Sequence, residues 1–475
     1  MVKTLISIIL LFFIAINIHI PEYYSEDMVI HVPLIKKVLN TSLYPGDLLV
    51  EIPNPQKNST VYYSFVANST SISPFSFEFD LKLLYMVYVF LYISILLALA
   101  RMLVPSSVAV LFVLLVITKF PIGGSGVSTI ESEIVPRSLG TLGSLVGIYF
   151  LVNKKLFSSV LTGVVALLFH PLSVFYALWI LVGQKLLEIK YSKKRLYVAF
   201  ICLGVGFFIL YISGKIVPID ESWLHIIKFR NPYAFLNLWS MLSWMYFGVL
   251  LVPGILYLIV SNHTPSDKLT VLIRGTYISA IILTLVHLFF VLYMPVHEVI
   301  LLQIGRIWYY PILLSLLASS ILFTRLVRSK AIQIALVLIF FLSIHGYRMM
   351  ARPAFSDGQW LDVQYWAQKN TSIYCSFLVP FSSRGFRSVS ERTITGDYKD
   401  GALSFYSQDF ASEWKHRRDE LAQWQKMNEN EIQLLEKKYN FDYIVEEIEN
   451  KKRLPIVYQN SKYIVYDMQG DSQCN

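Results

Sequence analysis

The sequence predicts a mainly α protein: a polytopic transmembrane helical bundle of about eleven spans, followed by a small extracytoplasmic C-terminal α/β domain. Three observations predict it. Hydrophobic residues make up 55% of the 475 and charged residues only 15%, with a mean hydropathy of +0.53, whereas an average soluble domain carries about 25% charged residues. The charges avoid the long apolar stretches and gather between them, as in a chain that alternates between lipid and water. After Arg352 the composition becomes that of a soluble α/β module. Domains are therefore expected at 1–346, with an external loop at 21–80, and at 347–475.

Residues 4–20 follow a single Lys3 and lack a small-x-small cleavage site before Pro21, so they read as an anchor helix with its N-terminus cytoplasmic. Residues 21–80, rich in Tyr, Ser, Pro and Asn, are too polar for lipid and form the first external loop. Further apolar runs cover 83–103, 108–117, 139–152, 156–169, 172–182, 196–212, 238–260, 278–293, 300–323 and 332–344. Several are shorter than the ~20 residues of a perpendicular span, so they recruit flanking residues, tilt or re-enter.

An alternating path puts Arg101, Lys154, Lys155 and the basic clusters at 185–195, 268–274 and 325–330 on the side of Lys3. That agrees with the positive-inside bias. The net charge of +9 is then explained by cytoplasmic Lys and Arg facing anionic membrane lipids, and no nucleic-acid partner is expected.

Outside lie residues 121–137, 215–237 and 295–298 and everything after His345, with Asn40, Asn58, Asn68 and Asn370 each opening an Asn-x-Ser/Thr triplet on that side. The tail reads as a helix at 357–368, a strand at 373–379, a charged helix at 413–439 and β pieces at 443–445, 456–458 and 463–466. Cys202 falls in a span and Cys375 and Cys474 in the tail. Their spacing supports neither a disulfide framework nor a cysteine zinc site; two free tail thiols are expected, with a Cys375–Cys474 bond as the alternative in an oxidising compartment.

The residues able to carry chemistry gather on the external side. Glu26 and Asp27 are adjacent carboxylates just beyond the first span, able to bind a divalent cation such as Mg or Mn or to take a proton from an acceptor hydroxyl; a solvated loop is the bland alternative. Glu131, Glu133 and Arg137 follow the flexible Gly-Gly-Ser-Gly at 123–126, where glycines allow the segment to bend into a cavity. Arg306, one turn after Gln303, stands inside an apolar span, which for an arginine implies a polar cavity or a snorkelling side chain. A guanidinium there suits a phosphate.

His297 and Glu298 lie just outside that span and are candidates to join the site. His170, before Pro171 at a turn between spans, is either a base, a phosphate donor or a histidine satisfied by a carbonyl. His287 reads as a structural hydrogen-bonder, and the charged stretch 220–230 as an interfacial amphipathic helix. No phosphate-cradling Gly loop, dinucleotide fingerprint, His-Glu-x-x-His or nucleophile elbow is present, which argues against an ATP-driven pump or a soluble-type hydrolase.

This arrangement resembles the integral-membrane glycosyltransferases of the GT-C class. Glu26-Asp27 stands where that class places its first acidic motif and Glu131 to Glu133 where a second is found, while Arg306 resembles its late-span arginine. Phe441-Asp442-Tyr443-Ile444-Val445, Pro455-Ile456-Val457-Tyr458 and Tyr463-Ile464-Val465-Tyr466 look like the closing strands of such proteins' C-terminal domains. Trp366-Ala367, Asn370-Thr371, Phe377-Leu378-Val379-Pro380, Gly385-Phe386-Arg387 and Ser390-Glu391-Arg392 are similar to uncharacterised bacterial multispanning proteins.

The resemblance implies transfer of a sugar, with inversion, from a polyprenyl-phosphate donor to an extracytoplasmic glycan, lipid or protein, in a prokaryotic inner or plasma membrane. It also implies catalytic carboxylates among Glu26, Asp27, Glu131 and Glu133, a metal at Glu26 and Asp27 if one is used, and substrate contacts from Arg137, His170, His297, Glu298, Gln303 and Arg306. The first acidic pair is Glu-Asp rather than the familiar Asp-Asp or Asp-Glu, and the Trp-Trp-Asp motif of oligosaccharyltransferases is missing. That points away from protein N-glycosylation. A polysaccharide polymerase or ligase, a transporter and a non-catalytic assembly subunit stand as alternatives; a transporter should show related halves, and none are detected.

Overall fold

The computed structural model describes residues 2–19, 27–51, 61–188, 218–261, 268–337, 339, 343, 358–470 and 474. The chain divides into two compact units, one formed by Met1–Ile20 and Tyr85–Met350, the other by Pro21–Leu84 and Ala351–Asn475.

Among the described residues four helices are long and apolar enough to cross a membrane: Phe77–Arg101, which starts in the second unit, and Met241–Val260, Lys268–Tyr293 and His297–Leu326 of the first. Shorter apolar helices cover Val2–Ile18, Ser106–Ile117, Leu156–Phe169 and Pro171–Leu181, and Pro136–Val152 adds another helix. Apolar runs become helices here because a segment in lipid must satisfy its own N–H and C=O groups. The run at 196–212 lies outside the described residues, as does most of 332–344. The helices Pro136–Val152 and Leu156–Phe169 pack through small residues, where a Cβ on Gly143 would stand 2.7 Å from that of Ala166.

One span departs from the continuous helix expected at 300–323. It is broken into a helix His297–Leu301, a left-handed Gln303 (φ 45°) and a 3₁₀ turn Ile304–Trp308, before resuming as Tyr309–Leu326. The carbonyls freed by the break are satisfied from a neighbouring helix, since the Tyr176 hydroxyl donates to those of Leu302 and Gln303. Arg306 therefore stands on a 3₁₀ turn, not within a regular helix.

The second unit holds a five-stranded sheet in the order β2-β1-β3-β5-β4, built from β1 (Ser376–Leu378), β2 (Thr393–Ile394), β3 (Tyr443–Glu447), β4 (Ile456–Gln459) and β5 (Tyr463–Asp467). β1 runs parallel to β2 and β3, and β5 antiparallel to β3 and β4. The helix Gly358–Asn370 covers the sheet through Trp360, Val363 and Ala367.

The single charged helix expected at 413–439 is two helices, Gln408–Leu421 and Glu429–Tyr439. The break follows from local chemistry: Asn428 and Glu431 form a reciprocal capping box that starts a new helix. Between the helices, Trp424 is fully buried and donates to the Val379 carbonyl at 3.1 Å. The two tail thiols expected to be free are bonded instead, Cys375 to Cys474 across 99 residues. Both sulfurs join the apolar core beside Phe377 and Val445, a proximity invisible in the linear spacing.

The described parts of 27–71, residues 27–51 and 61–71, are more helical than a polar loop, with helices Met28–Leu39, Leu48–Glu51 and Tyr62–Ser71. In the first, every residue from Met28 to Ile35 is buried. At the centre of this unit Arg387, 2% exposed, is held between carboxylates: Nε at 2.6 Å from Asp47, Nη1 at 2.8 Å from Asp400 and 3.7 Å from Asp397.

Burial and the neighbouring Asp400 push the Asp397 carboxyl up to about 7, against the pull of Arg387. A carboxyl raised in the fold binds a proton there that it releases when unfolded. The stability this gives is full below the unfolded value near 4 and is lost as pH rises through about 7. Asp397→Asn should therefore gain on the wild type, on the order of 2 kcal/mol between pH 5 and pH 8, read as a widening difference in unfolding temperature. A difference constant across that range would refute the protonation.

Candidate active site

The segment joining the helices Ser106–Ile117 and Pro136–Val152 folds into a tight hairpin. Ile122 N–H donates to the Val127 carbonyl and Thr129 N–H to that of Phe120, each at 2.9 Å. Its turn requires φ of 54° at Gly123 and 73° at Gly126, the left-handed region that suits glycine. The turn is also pressed against an indole: a Cβ on Gly124 would lie 2.5 Å from Trp239. Gly124→Ala should cost about 1–3 kcal/mol by overpacking and displace Trp239. Gly163→Ala, where nothing lies within 4 Å, is the neutral control; equal unfolding temperatures for the two variants would remove the packing argument.

Beyond the hairpin, Thr129 is fastened to the bundle by its hydroxyl, which donates to the Val116 carbonyl at 2.7 Å, and its carbonyl accepts from the Tyr92 hydroxyl. This sets Glu131 at the rim of a pocket whose lining includes Tyr88, Glu131, Arg137, His170, Ser173, Tyr176, Arg306, Tyr309 and Tyr310. Glu131 and Arg137 form a two-pronged ion pair, Nε to Oε1 at 2.8 Å and Nη2 to Oε2 at 3.0 Å.

Arg306 is different. Its Nε donates to the Ser125 carbonyl at 3.3 Å and its guanidinium lies 5.4 Å from the centre of the Tyr233 ring. Among the described residues no carboxylate forms a salt bridge with it. The paired Glu131 and Arg137 cancel, so Arg306 leaves the pocket net cationic.

His170 Nδ1 accepts from the Ser173 N–H at 3.2 Å and lies 2.8 Å from its hydroxyl. The ring thus caps the helix Pro171–Glu188 at an orphan N–H. A Cβ on Gly140 would stand 2.5 Å from the Cβ of His170, so glycine is what lets this turn approach.

The remaining sequence candidates lie elsewhere. Glu133 is buried, 6% exposed, and its carbonyl accepts from Ser138; it does not line the pocket. Gln303 is buried at the left-handed kink, and the His297 ring lies tilted at 36° to that of Trp223 with centres 4.3 Å apart; Gln303, His297 and Glu298 do not line the pocket. His287 serves as a hydrogen-bonder, its Nε2 accepting from Leu236 N–H at 3.4 Å. The stretch 220–230 contains the helix Glu221–Arg230, capped by Asp220 and burying Leu224, Ile226 and Ile227.

Asp27 belongs to the other unit, where Lys399 Nζ lies 2.7 Å from its Oδ1. Glu26 lies outside the described residues. Among the described residues, Cys375, Asp442 and Cys474 bring possible metal ligands within 4.8 Å of one another, but the two sulfurs are bonded together and offer no thiolates. The tyrosines of the pocket went unnoticed in the sequence. Tyr88, Tyr176, Tyr309 and Tyr310 line it; Tyr88 recurs with Tyr85 and Tyr92 at helical spacing inside an apolar run, and polar rings repeating along one face are the signal that would have drawn attention to it.

No family model matches the sequence, and no curated protein matches it. Among solved structures the chain matches the archaeal oligosaccharyltransferase AglB from Archaeoglobus fulgidus in complex with an inhibitory peptide and a dolichol-phosphate. The match has 12% identity and a TM-score of 0.50, covering 94% of this chain and 69% of that one. The oligosaccharyltransferase of the same organism also matches in its apo form (12% identity, 94% and 70% covered, TM-score 0.48) and with Zn and sulfate (12%, 93% and 68%, 0.48). At such identity the likeness is one of fold alone: this chain shares the fold of that oligosaccharyltransferase.

Proposed function

We propose that this chain is a membrane glycosyltransferase that moves a sugar from a polyprenyl-phosphate donor to an acceptor outside the membrane, which is a glycan, a lipid or a protein. The observation that carries this reading is Arg306: a half-buried guanidinium in a tyrosine-lined pocket, with no acidic partner among the described residues. Such a charge in an apolar bundle is costly unless an anion completes it. A polyprenyl-phosphate sugar has its tail in lipid and its phosphate at the interface, and so meets a cation of this kind. The dolichol-phosphate in the AglB complex supports a lipid-linked donor.

In the reaction, an acceptor hydroxyl attacks the anomeric carbon as the bond to the phosphate oxygen breaks. Arg306 takes the developing phosphate charge, and a carboxylate among Glu26, Asp27, Glu131 and Glu133 receives the hydroxyl proton. Glu131 reaches that role when the incoming phosphate draws Arg137 away from it. A Mg or Mn ion on Glu26 and Asp27 is one way to hold the first acidic pair. Gln303 supports Arg306 by shaping the kink, and His297 with Glu298 extends the acceptor side.

About eleven spans would place the basic clusters in the cytoplasm and residues 347–475 outside, and the Cys375–Cys474 bond supports an oxidising compartment for that part. The test is transfer of label from a radioactive polyprenyl-phosphate sugar to cell-envelope acceptors by the purified protein in bilayers. Failure with every donor tried, while the protein stays folded, would sink the reading and leave a non-catalytic role.

A further inference from the structure

The first acidic pair is where a divalent cation is expected, yet the structure places another cation at Asp27. Lys399 Nζ lies 2.7 Å from Asp27 Oδ1, with the side chains 15% and 28% exposed. Solvated ion pairs of this kind contribute little on average. This one is set apart by what holds its two halves.

Lys399 projects from the turn 397–400, whose ends clasp each other: Asp400 N–H donates to Asp397 Oδ1 at 2.9 Å and Asp397 N–H to Asp400 Oδ2 at 3.0 Å. Tyr398 N–H donates to the Phe381 carbonyl at 2.9 Å and the Trp414 indole to that of Asp397 at 3.1 Å. Asp27, for its part, heads the buried helix Met28–Leu39. The chain beyond that helix is tied to the same network by Arg387 on Asp47 at 2.6 Å and by the Tyr44 hydroxyl on the Arg387 carbonyl at 3.0 Å. The ammonium is therefore preorganised against the carboxylate.

We propose that Lys399 supplies at Asp27 the positive charge a bound divalent cation would supply, so that transfer needs no metal at the first acidic pair. This rests on the glycosyltransferase reading. A divalent ion requires oxygen ligands at about 2.0–2.6 Å, and at Asp27 it would have to expel an ammonium of like charge from a fixed position. Lys399 is thus a positioning residue for Asp27.

The test uses the full-length protein and Mn²⁺, followed by calorimetry and by paramagnetic resonance. Wild type should show no saturable Mn²⁺ that Asp27→Asn removes. Lys399→Met should gain a Mn²⁺ site that is lost again when Asp27→Asn is added. In transfer assays, wild type should be indifferent to EDTA, Lys399→Met should fall about 100-fold and recover with Mn²⁺, and Lys399→Arg should remain active without metal. A stoichiometric Mn²⁺ site in wild type that depends on Asp27, transfer abolished by chelation, or a Lys399→Met variant unchanged in both respects would overturn the proposal. If Lys399→Met fails to fold, the comparison of wild type with Asp27→Asn still decides it. Mn²⁺ uptake needs no sugar donor, so its outcome stands even if the glycosyltransferase reading fails.

Discussion

Arg306→Ala is expected to lower sugar transfer by about 100-fold or more while leaving the unfolding temperature near that of the wild type. Among the described residues the side chain hydrogen-bonds the Ser125 carbonyl and lies against the Tyr233 ring, so little of the described fold depends on it. Its loss removes the one cation of the pocket that no described carboxylate neutralises. Arg306→Lys should recover only part of the rate, because an ammonium is a point charge and cannot present the planar fork that matches two phosphate oxygens. Initial rates with a labelled donor, measured beside thermal unfolding, check both statements. Full activity in the alanine variant would take Arg306 out of the mechanism.

Arg387→Met should destabilise the second unit by about 3–5 kcal/mol. The guanidinium is 2% exposed and binds Asp47 and Asp400 at 2.6–2.9 Å. Methionine would fill the space but leave the buried carboxylates facing one another without a counter-charge. The loss should be smaller at acid pH, where the carboxylates hold protons. It should also free residues 27–51 for proteolysis, since Asp47 is their buried anchor. An unfolding temperature within the error of wild type at pH 8 would show that the cluster does not hold this unit together.

How much of this was legible in the sequence depends on the distance over which each feature is decided. The runs at 108–117 and 156–169 became helices at nearly those residues, because helix formation in an apolar run is settled within the run. The strands at 443–445 and 463–466 were similarly readable from their β-branched and aromatic residues. The two-residue strand β2 was not, being held by pairing with Ser376 and Phe377 rather than by its own composition. The region 27–71 read as loop because its average is polar. Its apolar stretch from Met28 to Ile35 is short and acquires meaning only once buried.

The site divides in the same way. Arg306, Arg137 and Glu131 were identified as charges out of place, and they line one pocket. His297, Glu298 and Glu133 were chosen by the same reasoning and do not line it, because adjacency along the chain says nothing about which way a side chain faces. The break at Gln303 was also hidden, since it needs Tyr176, 127 residues away, to satisfy the freed carbonyl.

By itself the sequence determined that this protein is built from apolar helices followed by a small C-terminal α/β part. Solubility in lipid and strand propensity are properties of short segments, so they are written locally. Only the tertiary structure decided that Cys375 bonds Cys474, that Arg387 meets Asp47 across 340 residues and that Lys399 meets Asp27 across 372. Charge pairing acts over a few ångströms whatever the separation along the chain, and proximity of that kind exists only after folding.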